Sequence, residues 1–409
     1  MIAACSSDSS AELSTGQPES VSSETTQTLT PTTTKPSTAT TPSTTGLPTA
    51  TTAPPTTTIA PTIEECLAHI PLRVRLGQLL FPVLTQDELG QATTHAAHGD
   101  IAGVVILGNP TSDLRTDLAA LQDASLIGPS IVAVDEEGGR VQRVAALVGA
   151  LPSARTLAAD LTVAEAQELH RQHALLLADL GFTMNLAPVI DLDNGTYIGN
   201  RSFSADNQIV IDYGMAVADG ILAAGLTPVA KHFPGHGRGT DSHKGLPELP
   251  ELDVLRADDL VPFDAAIAHG DIPIMVGHLV VPDLTNGEPA TLSPEAVTGL
   301  LRGEMGFDGL IMTDALNMDA IALGFDGATA AERALEAGVD LVMLGQVGDI
   351  VPTLDRLETA VSDGVLSEVS VNMSFLRVMK VKDVNACDIP ADEAPAIRCE
   401  GVTTGGCAL

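Results

Sequence analysis

The chain has 409 residues, of which 44% are hydrophobic, so it is long enough for one large domain or two ordinary ones with a sizeable core. It carries 53 acidic and 20 basic side chains, a formal net charge of -33 at pH 7. Such an acidic chain lacks the basic surface with which proteins bind nucleic acids or anionic lipids. It contains no apolar run of about 18 residues, so we expect no transmembrane helix.

Residues 1–62 differ in composition from the rest of the chain. Between positions 6 and 62, 38 of 57 residues are Ser, Thr or Pro, and large apolar side chains are almost absent. Such a segment cannot bury enough apolar surface to offset the entropy that it would lose on ordering. We therefore expect a disordered Ser/Thr/Pro-rich tether, of a composition that is often O-glycosylated, rather than a structured N-terminal strand or helix.

Small residues precede a cysteine at the start of the chain, and the tether follows directly. Residues 1–5 resemble a bacterial lipobox, in which Cys5 would carry a lipid and become the mature N-terminus. The tether would then be the spacer between a membrane-anchored lipoprotein and its folded part. The alternative is a soluble secreted or cytoplasmic protein in which Cys5 has no special role. We expect an extracytoplasmic protein that contacts the membrane only through this lipid anchor.

The four remaining cysteines lie at the edges of the predicted folded region, at Cys66, Cys387, Cys399 and Cys407. In an exported protein an even number of cysteines favours disulfides, and three pairings are open for four cysteines. Reduced thiols are the alternative. The spacings do not match the closely paired cysteines of a zinc site, so we expect no metal here.

Short apolar runs alternate with Ala- and Leu-rich helical stretches from residue 63 to residue 382. Runs that are apolar on both faces and separated by helical patterns indicate a parallel sheet. Eight such units predict an α/β fold with a single (β/α)8 TIM-like barrel. A doubly wound open sheet is the alternative fold, but the glycine-rich phosphate loop that is typical of many such sheets does not occur in the sequence. The runs cover residues 79–85, 103–107, 130–135, 183–191, 227–233, 272–279, 309–314 and 339–344. Residues 383–409 would then form a cysteine-containing C-terminal tail.

Polar side chains end most of these runs. Asp135 ends the third run, Asp191 the fourth and Asp314 the seventh, while His278 lies near the end of the sixth. Segment 231–243, at the end of the fifth run and beyond it, adds a lysine and three histidines. The carboxyl ends of all barrel strands meet at one face, where the active sites of such proteins lie. A lone Asp after a strand is often a helix N-cap, but so many polar groups at one rim predict a catalytic site.

Four motifs resemble those of glycoside hydrolase family 3 and occur in the family's order. They are DEEGGRVQR at 135–143, NRSF at 200–203, KHFPGHG at 231–237 with DSH at 241–243, and TDAL at 313–316. The motif after the fifth run is the most specific, and the likeness covers residues 63–382. Within the family, the motifs resemble those of bacterial β-N-acetylglucosaminidases that act on peptidoglycan fragments. The resemblance implies a monomeric barrel enzyme that uses no cofactor.

The resemblance also implies a retaining mechanism. Asp314 matches the family's nucleophile, which attacks the anomeric carbon and forms a covalent glycosyl-enzyme. Asp241 and His243 match a dyad that replaces the usual carboxylic acid in this branch. His243 would protonate the leaving oxygen and then deprotonate water, which suits an imidazole with its ordinary pKa of about 6.5, while Asp241 would orient the ring. A helix cap at Asp314 and a tight turn at Asp241 are the structural alternatives.

Five further residues match the family's sugar-binding set. Lys231 and His232 would hydrogen-bond the sugar hydroxyls, and Asp135 would accept hydrogen bonds from hydroxyls at the non-reducing end. Arg143 and Arg201 would be donors, with an ion pair that supports the barrel rim as the alternative for each. Because the chain has no Trp that could stack on a long glycan, we expect a small pocket for one terminal sugar, and hence exo action.

Three other functions compete with an exo-β-N-acetylglucosaminidase. A metal-dependent amidohydrolase needs a His-x-His motif at its first strand, and residues 79–85 contain no histidine. A lipoprotein that only binds cell-wall fragments would not need Asp314 and His243 intact. A phosphorylase is the closer rival, because a histidine acid/base does not repel phosphate as a carboxylate would. The product distinguishes a hydrolase from a phosphorylase, because a hydrolase releases free sugar and a phosphorylase releases sugar 1-phosphate.

Overall fold

The structure is a computed structural model of the chain, and it describes residues 61–195, 197–270 and 272–390. The predicted tether, except for its last two residues, lies outside the described residues, and so does Cys5. The same holds for most of the predicted C-terminal tail, including Cys399 and Cys407.

Eleven strands occur in the described part of the chain, and most of them are short and apolar. They are β1 Leu80–Thr85, β2 Gly103–Leu107, β3 Ile131–Val134, β4 Glu136–Gly138, β5 Val141–Gln142, β6 Met184–Asn185, β7 Thr227–Pro228, β8 Ala230–Phe233, β9 Ile274–Val276, β10 Ile311–Thr313 and β11 Val342–Leu344. Each of the eight predicted apolar runs contains at least one strand. Strands β3, β8, β9, β10 and β11 are buried along their whole length, as expected for parallel strands whose two faces are both covered.

The strands of the main framework pair in parallel. One sheet has the order β11-β1-β2-β3-β6-β7, and a second has the order β10-β9-β8. A single residue separates β7 from β8, and an isolated parallel bridge joins Met312 in β10 to Leu341 just before β11. The predicted α/β architecture with a parallel sheet is thereby confirmed. Strands β4 and β5 form a separate antiparallel hairpin that the sequence pattern did not indicate.

Helices follow the strands and cover them. The α-helices among the described residues are α1 Ile63–Ala68, α2 Leu72–Gly77, α3 Leu89–His98, α4 Leu114–Ala124, α5 Ala145–Val148, α6 Ala154–Asp160, α7 Val163–Leu180, α8 Asn207–Ala223, α9 Leu252–Ala257, α10 Val261–His269, α11 Asp319–Ala322, α12 Gly327–Ala337, α13 Ile350–Ser362 and α14 Glu368–Val381. A π-helix spans Glu295–Glu304, and short 3-10 turns span Gln86–Glu88, Gly199–Arg201, His236–Arg238, Ala290–Leu292, Val347–Asp349 and Ala386–Asp388.

The longest helix, α7, shows why the sequence forms these elements. It begins after Thr162, whose hydroxyl accepts a hydrogen bond from the backbone of Glu165 while the Glu165 side chain caps in return. It ends at Gly181, which adopts a left-handed φ of 107° that costs glycine little. Its buried Ala166, Ala174 and Leu177 belong to one hydrophobic core that also includes side chains of α8 and of the strands. Within the described ranges, no helix is both long and apolar enough to cross a bilayer.

A disulfide joins Cys66 on α1 to Cys387 in the last 3-10 turn, with the two Cα atoms 4.7 Å apart. This is one of the pairings that the cysteine count left open. The bond connects residues that are 321 positions apart, so it ties the first described helix to the end of the described chain.

Candidate active site

A cavity of about 410 Å³ opens where the strands end, and most predicted site residues line it. Seven of the eight predicted catalytic and sugar-binding residues are in its wall, namely Asp135, Arg143, Arg201, Lys231, His232, His243 and Asp314. The eighth, Asp241, contacts His243 from outside the wall. Residues that are far apart in the sequence thus meet in one small space, because they lie in parallel strands or in the segments that follow them.

Asp314 follows β10 directly and is held there by its backbone. Its N–H donates to the carbonyl of Val276 on the neighbouring strand at 3.0 Å, and its Oδ1 accepts from the N–H of Ala315 at 2.8 Å. Burial alone would raise the pKa of this carboxyl, but His232, His278 and the Ala315 N–H outweigh that effect and lower it. Asp314 is therefore a carboxylate at neutral pH, which is the form that can act as a nucleophile.

Lys231, on β8, is clamped between two carboxylates. Its Nζ lies 2.7 Å from Oδ1 of Asp135 and 2.7 Å from Oε1 of Glu137, and its side chain is only 3% exposed. Arg143 approaches the other oxygen of Asp135 at 3.4 Å. Burial lowers the pKa of Lys231, but the two carboxylates more than compensate and raise it. The ammonium group is thus charged and fixed in the cavity wall.

Glu137 was not singled out from the sequence, yet it organises the cations of the cavity. Its carboxylate pairs with Lys231 and also accepts from Nε and Nη2 of Arg201, at 2.7 and 2.8 Å. Burial raises the pKa of Glu137, but Arg201 and Lys231 overcome burial and hold it well below its ordinary value. The signal available in the sequence was its position within the motif at 135–143. Arg143 and Arg201 both line the cavity, and each also forms an ion pair with a carboxylate. An ion pair was the structural alternative to a sugar-binding role for each arginine.

His232 is oriented by two neighbours on opposite sides of its ring. Its Nδ1 lies 2.7 Å from Oδ2 of Asp191, and its Nε2 lies 3.3 Å from Nη2 of Arg201. Because a guanidinium only donates, Nε2 of His232 is the acceptor in the contact with Arg201, and Nδ1 is placed to donate to the Asp191 carboxylate. Asp191 is fully buried and also accepts from the backbone N–H groups of His232 and His236. Burial opposes its ionisation, yet His232 and His236 lower the pKa of Asp191.

The structure brings Asp241 and His243 together in the loop after β8. Nδ1 of His243 lies 3.2 Å from Oδ1 of Asp241, which also accepts from the backbone N–H of His243 at 3.1 Å. Lys244 lies 2.9 Å from the other carboxylate oxygen. Burial acts to raise the pKa of Asp241, but Lys244, the His243 N–H and Tyr197 lower it to about 2. The His243 side chain is 64% exposed, so its ring can reach a bound ligand.

Two other histidines at this level support the loops. Nε2 of His236 lies 3.1 Å from Oγ of Ser242 in the same loop, and burial lowers the pKa of His236 to about 4. His278 lies between Oγ1 of Thr291, at 2.8 Å, and the carbonyl of Ala315, at 3.0 Å. Among the residues that the structure describes, no group of three or more His, Cys, Asp or Glu side chains is arranged to hold a metal ion.

The sequence of the folded part has named relatives. Residues 71–381 match the N terminal domain of glycosyl hydrolase family 3. Beta-hexosaminidase LpqI from Mycobacterium tuberculosis is 40% identical over 326 residues, which are 76% of this chain and 83% of the relative. A beta-hexosaminidase from Stenotrophomonas maltophilia is 38% identical over 278 residues, which are 65% of this chain and 82% of the relative.

Solved structures agree with these relatives. A family 3 glycosyl hydrolase from Mycobacterium smegmatis has a TM-score of 0.74 and 39% identity, covering 77% of this chain and 98% of its own. A family 3 β-N-acetylglucosaminidase from Paenibacillus sp. has a TM-score of 0.72 and 31% identity, covering 77% of this chain and 62% of its own. The family predicted from the motifs is confirmed, and the chain belongs to glycosyl hydrolase family 3.

Proposed function

We propose that the chain is a retaining exo-β-N-acetylglucosaminidase that releases terminal N-acetylglucosamine from peptidoglycan-derived fragments. One observation carries the proposal: an ionised carboxylate, Asp314, and an imidazole, His243, line the same cavity, and the Asp241 carboxylate contacts that imidazole from behind. The names of the relatives, beta-hexosaminidase and β-N-acetylglucosaminidase, support the choice of sugar. The strand order supports one closed (β/α)8 barrel as the scaffold.

The reaction takes two steps at one carbon. In the first, an oxygen of Asp314 attacks the anomeric carbon and the glycosidic C–O bond breaks, while Nε2 of His243 gives its proton to the departing oxygen. In the second, Nε2 of His243 removes a proton from water, the water oxygen attacks the same carbon, and the ester to Asp314 breaks. Each displacement inverts the carbon, so the configuration is retained. Asp241 keeps the proton on Nδ1, which leaves Nε2 free for both transfers.

The cavity wall supplies partners for one sugar ring. Lys231 and the two arginines are donors for hydroxyl and carbonyl oxygens, Asp135 adds carboxylate oxygens that accept from hydroxyls, and the His232 ring offers a further hydrogen-bonding group. A cavity of about 410 Å³ is near the lower end of the usual range for ligand sites, which fits a single terminal sugar with a short extension. The five sugar-binding roles inferred from the family motifs are retained in this proposal.

We place the enzyme outside the cytoplasm, as a monomer attached to the membrane through a lipid on Cys5. The disulfide between Cys66 and Cys387 supports an oxidising compartment. The composition of residues 6–62 supports a flexible spacer that would let the catalytic part reach cell-wall fragments.

An activity screen on aryl β-glycosides that differ only at C2 tests the sugar. We expect cleavage of the N-acetylglucosaminide and little cleavage of the glucoside. Substitution Asp314→Ala should abolish cleavage, and a 5-fluoro N-acetylglucosaminyl donor should add one sugar mass to the peptide that contains Asp314. Label on another residue, or near-normal activity of Asp314→Ala, would remove Asp314 as the nucleophile.

A phosphorylase is the second candidate, and the histidine at position 243 is the observation that favours it. Turnover in phosphate buffer distinguishes the two activities. The proposed hydrolase gives free N-acetylglucosamine at all phosphate concentrations, whereas a phosphorylase gives the sugar 1-phosphate.

A further inference from the structure

Tyr197 touches the acid/base dyad from a different loop. It lies between β6 and α8, lines the cavity, and places its hydroxyl 3.3 Å from Nδ1 of His243. Its ring packs on His236, with the ring centroids 4.9 Å apart and the planes tilted by 40°. Tyr197 lies outside the four sequence motifs. Its ring therefore contacts the start of the short loop 236–243, at His236, and its hydroxyl contacts the end of it, at His243.

The main chain beside Tyr197 is fixed independently of its side chain. A Cβ on Gly195 would lie 2.3 Å from the carbonyl oxygen of Gly237, and a Cβ on Gly237 would lie 1.9 Å from that of Leu192. Only glycine permits such contact, so the two loops cross backbone against backbone. Arg140 also donates to the carbonyl of Tyr197 at 3.0 Å. The backbone at Tyr197 is therefore held by neighbouring segments, so its side chain can restrain the exposed ring of His243.

We infer that Tyr197 is a positioning residue that holds His243 of the acid/base dyad in its productive orientation, an inference that rests on the proposed function. His243 is 64% exposed, and its contact with Asp241 is a local one across two positions of a glycine-rich loop. One acceptor in the same loop restrains the ring poorly, because loop and ring can move together. The hydroxyl of Tyr197 comes from a separate segment and therefore ties the ring to the rest of the cavity.

The hydrogen-bond chemistry of the three groups is compatible. When Nδ1 of His243 carries a proton, that N–H can be shared between Oδ1 of Asp241 and the oxygen of Tyr197, at 3.2 and 3.3 Å. The tyrosine proton remains available to the Asp241 carboxylate. Both acceptors favour the tautomer with Nε2 free, which is the nitrogen that must face the glycosidic oxygen. Tyr197 gives up no proton in the reaction and makes no bond to the sugar.

The substitution Tyr197→Phe tests this role, because it removes the hydroxyl and keeps the ring against His236. General acid catalysis matters for poor leaving groups and little for activated ones. We expect kcat/KM to fall about 10-fold for an alkyl or methoxyphenyl N-acetyl-β-glucosaminide and to change little for the dinitrophenyl analogue. A merely structural loss would lower both rates alike.

The chain offers a matched control in its second tyrosine. Tyr213 also makes a hydrogen bond through its hydroxyl, to the carbonyl of Leu161 at 2.7 Å, but it does not line the cavity. Tyr213→Phe should leave the ratio of the two rates unchanged. His243→Ala supplies the reference for full loss of the acid. If His243→Ala shows the leaving-group dependence and Tyr197→Phe does not, the positioning role is wrong; if neither shows it, the proposed acid/base itself fails.

Discussion

Glu137 and Arg201 form a two-pronged ion pair, with Nε and Nη2 of the guanidinium 2.7 and 2.8 Å from the two carboxylate oxygens. Both side chains are almost fully buried, and the same carboxylate also binds Lys231. Arg201 belongs to a 3-10 turn and Lys231 to β8, so Glu137 joins three separate segments around the cavity. Its effect on catalysis should therefore be indirect, through the placement of two cations that we propose bind the sugar.

Glu137→Gln keeps the shape of the side chain and removes its charge. Two buried cations would lose a partner, and breaking a buried pair in this way costs about 3 kcal/mol of folding free energy. Because the cations would also be free to turn, we expect KM for the aryl N-acetylglucosaminide to rise and kcat/KM to fall about 100-fold. Chemical denaturation and steady-state kinetics measure the two effects. Unchanged KM would contradict the placement role.

The pH dependence of this effect has a definite sign. The pKa of Glu137 is lower in the folded protein than its ordinary value of 4.5. The stability that its ionised carboxylate contributes is therefore fully present above pH 4.5 and is lost as the pH falls below that value. The stability difference between wild type and Glu137→Gln should thus be constant near neutrality and shrink in acid. Glu168→Gln removes an exposed partner of Arg171 and serves as the control, with little change in stability.

The apolar runs were sufficient to predict the framework. Side chains in parallel strands are buried on both faces, so the eight runs stand out without any knowledge of their partners. The rim residues could also be found, because a polar residue that ends such a run must lie at the carboxyl face. Asp135, Asp191 and Asp314 were identified in this way, and the structure brings all three to the cavity or beside it.

Glu137 and Tyr197 could not be identified by the same reasoning. In sequence, Glu137 is one of two adjacent glutamates, and only the positions of Arg201 and Lys231, 64 and 94 residues later, distinguish it from Glu136. Tyr197 lies in a loop with no periodic pattern, and its partner His243 is 46 positions away. Pairings between loops depend on where the strands deliver them, and this information is not local.

His243→Ala removes the proposed acid and tests its chemistry. We expect kcat/KM to fall about 100-fold or more for a poor leaving group, while cleavage of an activated dinitrophenyl glycoside should be much less affected in its first step. Asp241→Asn should follow the same pattern more weakly, because Asp241 only orients the ring. Measuring both variants across a series of leaving groups decides the assignment. Equal losses for every leaving group would count against an acid role for His243.

Cys66→Ser should lower stability without changing the chemistry. The disulfide closes a segment of 321 positions, and such a cross-link typically contributes about 2–4 kcal/mol, largely by restricting the unfolded chain. Neither cysteine lines the cavity, so kcat/KM at 25 °C should stay the same. Thermal unfolding with and without reductant provides the measurement. Reductant should lower the Tm of wild type to that of the variant, and an unaltered wild-type Tm would mean that the bond is unimportant for stability.

Lys382 is a buried lysine at the end of α14, and its Nζ donates to Oε1 of Gln78 at 2.7 Å. Burial lowers its pKa from 10.5 to about 7, so the folded protein binds fewer protons than the unfolded chain between these values. Stability attributable to this group should therefore fall as the pH decreases from about 10.5 to about 7, by up to about 1.4 kcal/mol per pH unit, and then level off.

Lys382→Met removes the titration and keeps an unbranched side chain of similar length. The variant should equal or exceed wild type in stability at pH 7, and its advantage should shrink as the pH rises, because the lysine of the unfolded wild-type chain then costs less to deprotonate on folding. Denaturant unfolding of both proteins at several pH values between 7 and 10 measures the difference. Parallel stability curves over this range would show that Lys382 stays charged in the folded protein, with Gln78 and nearby carbonyl groups sufficient to solvate the ammonium.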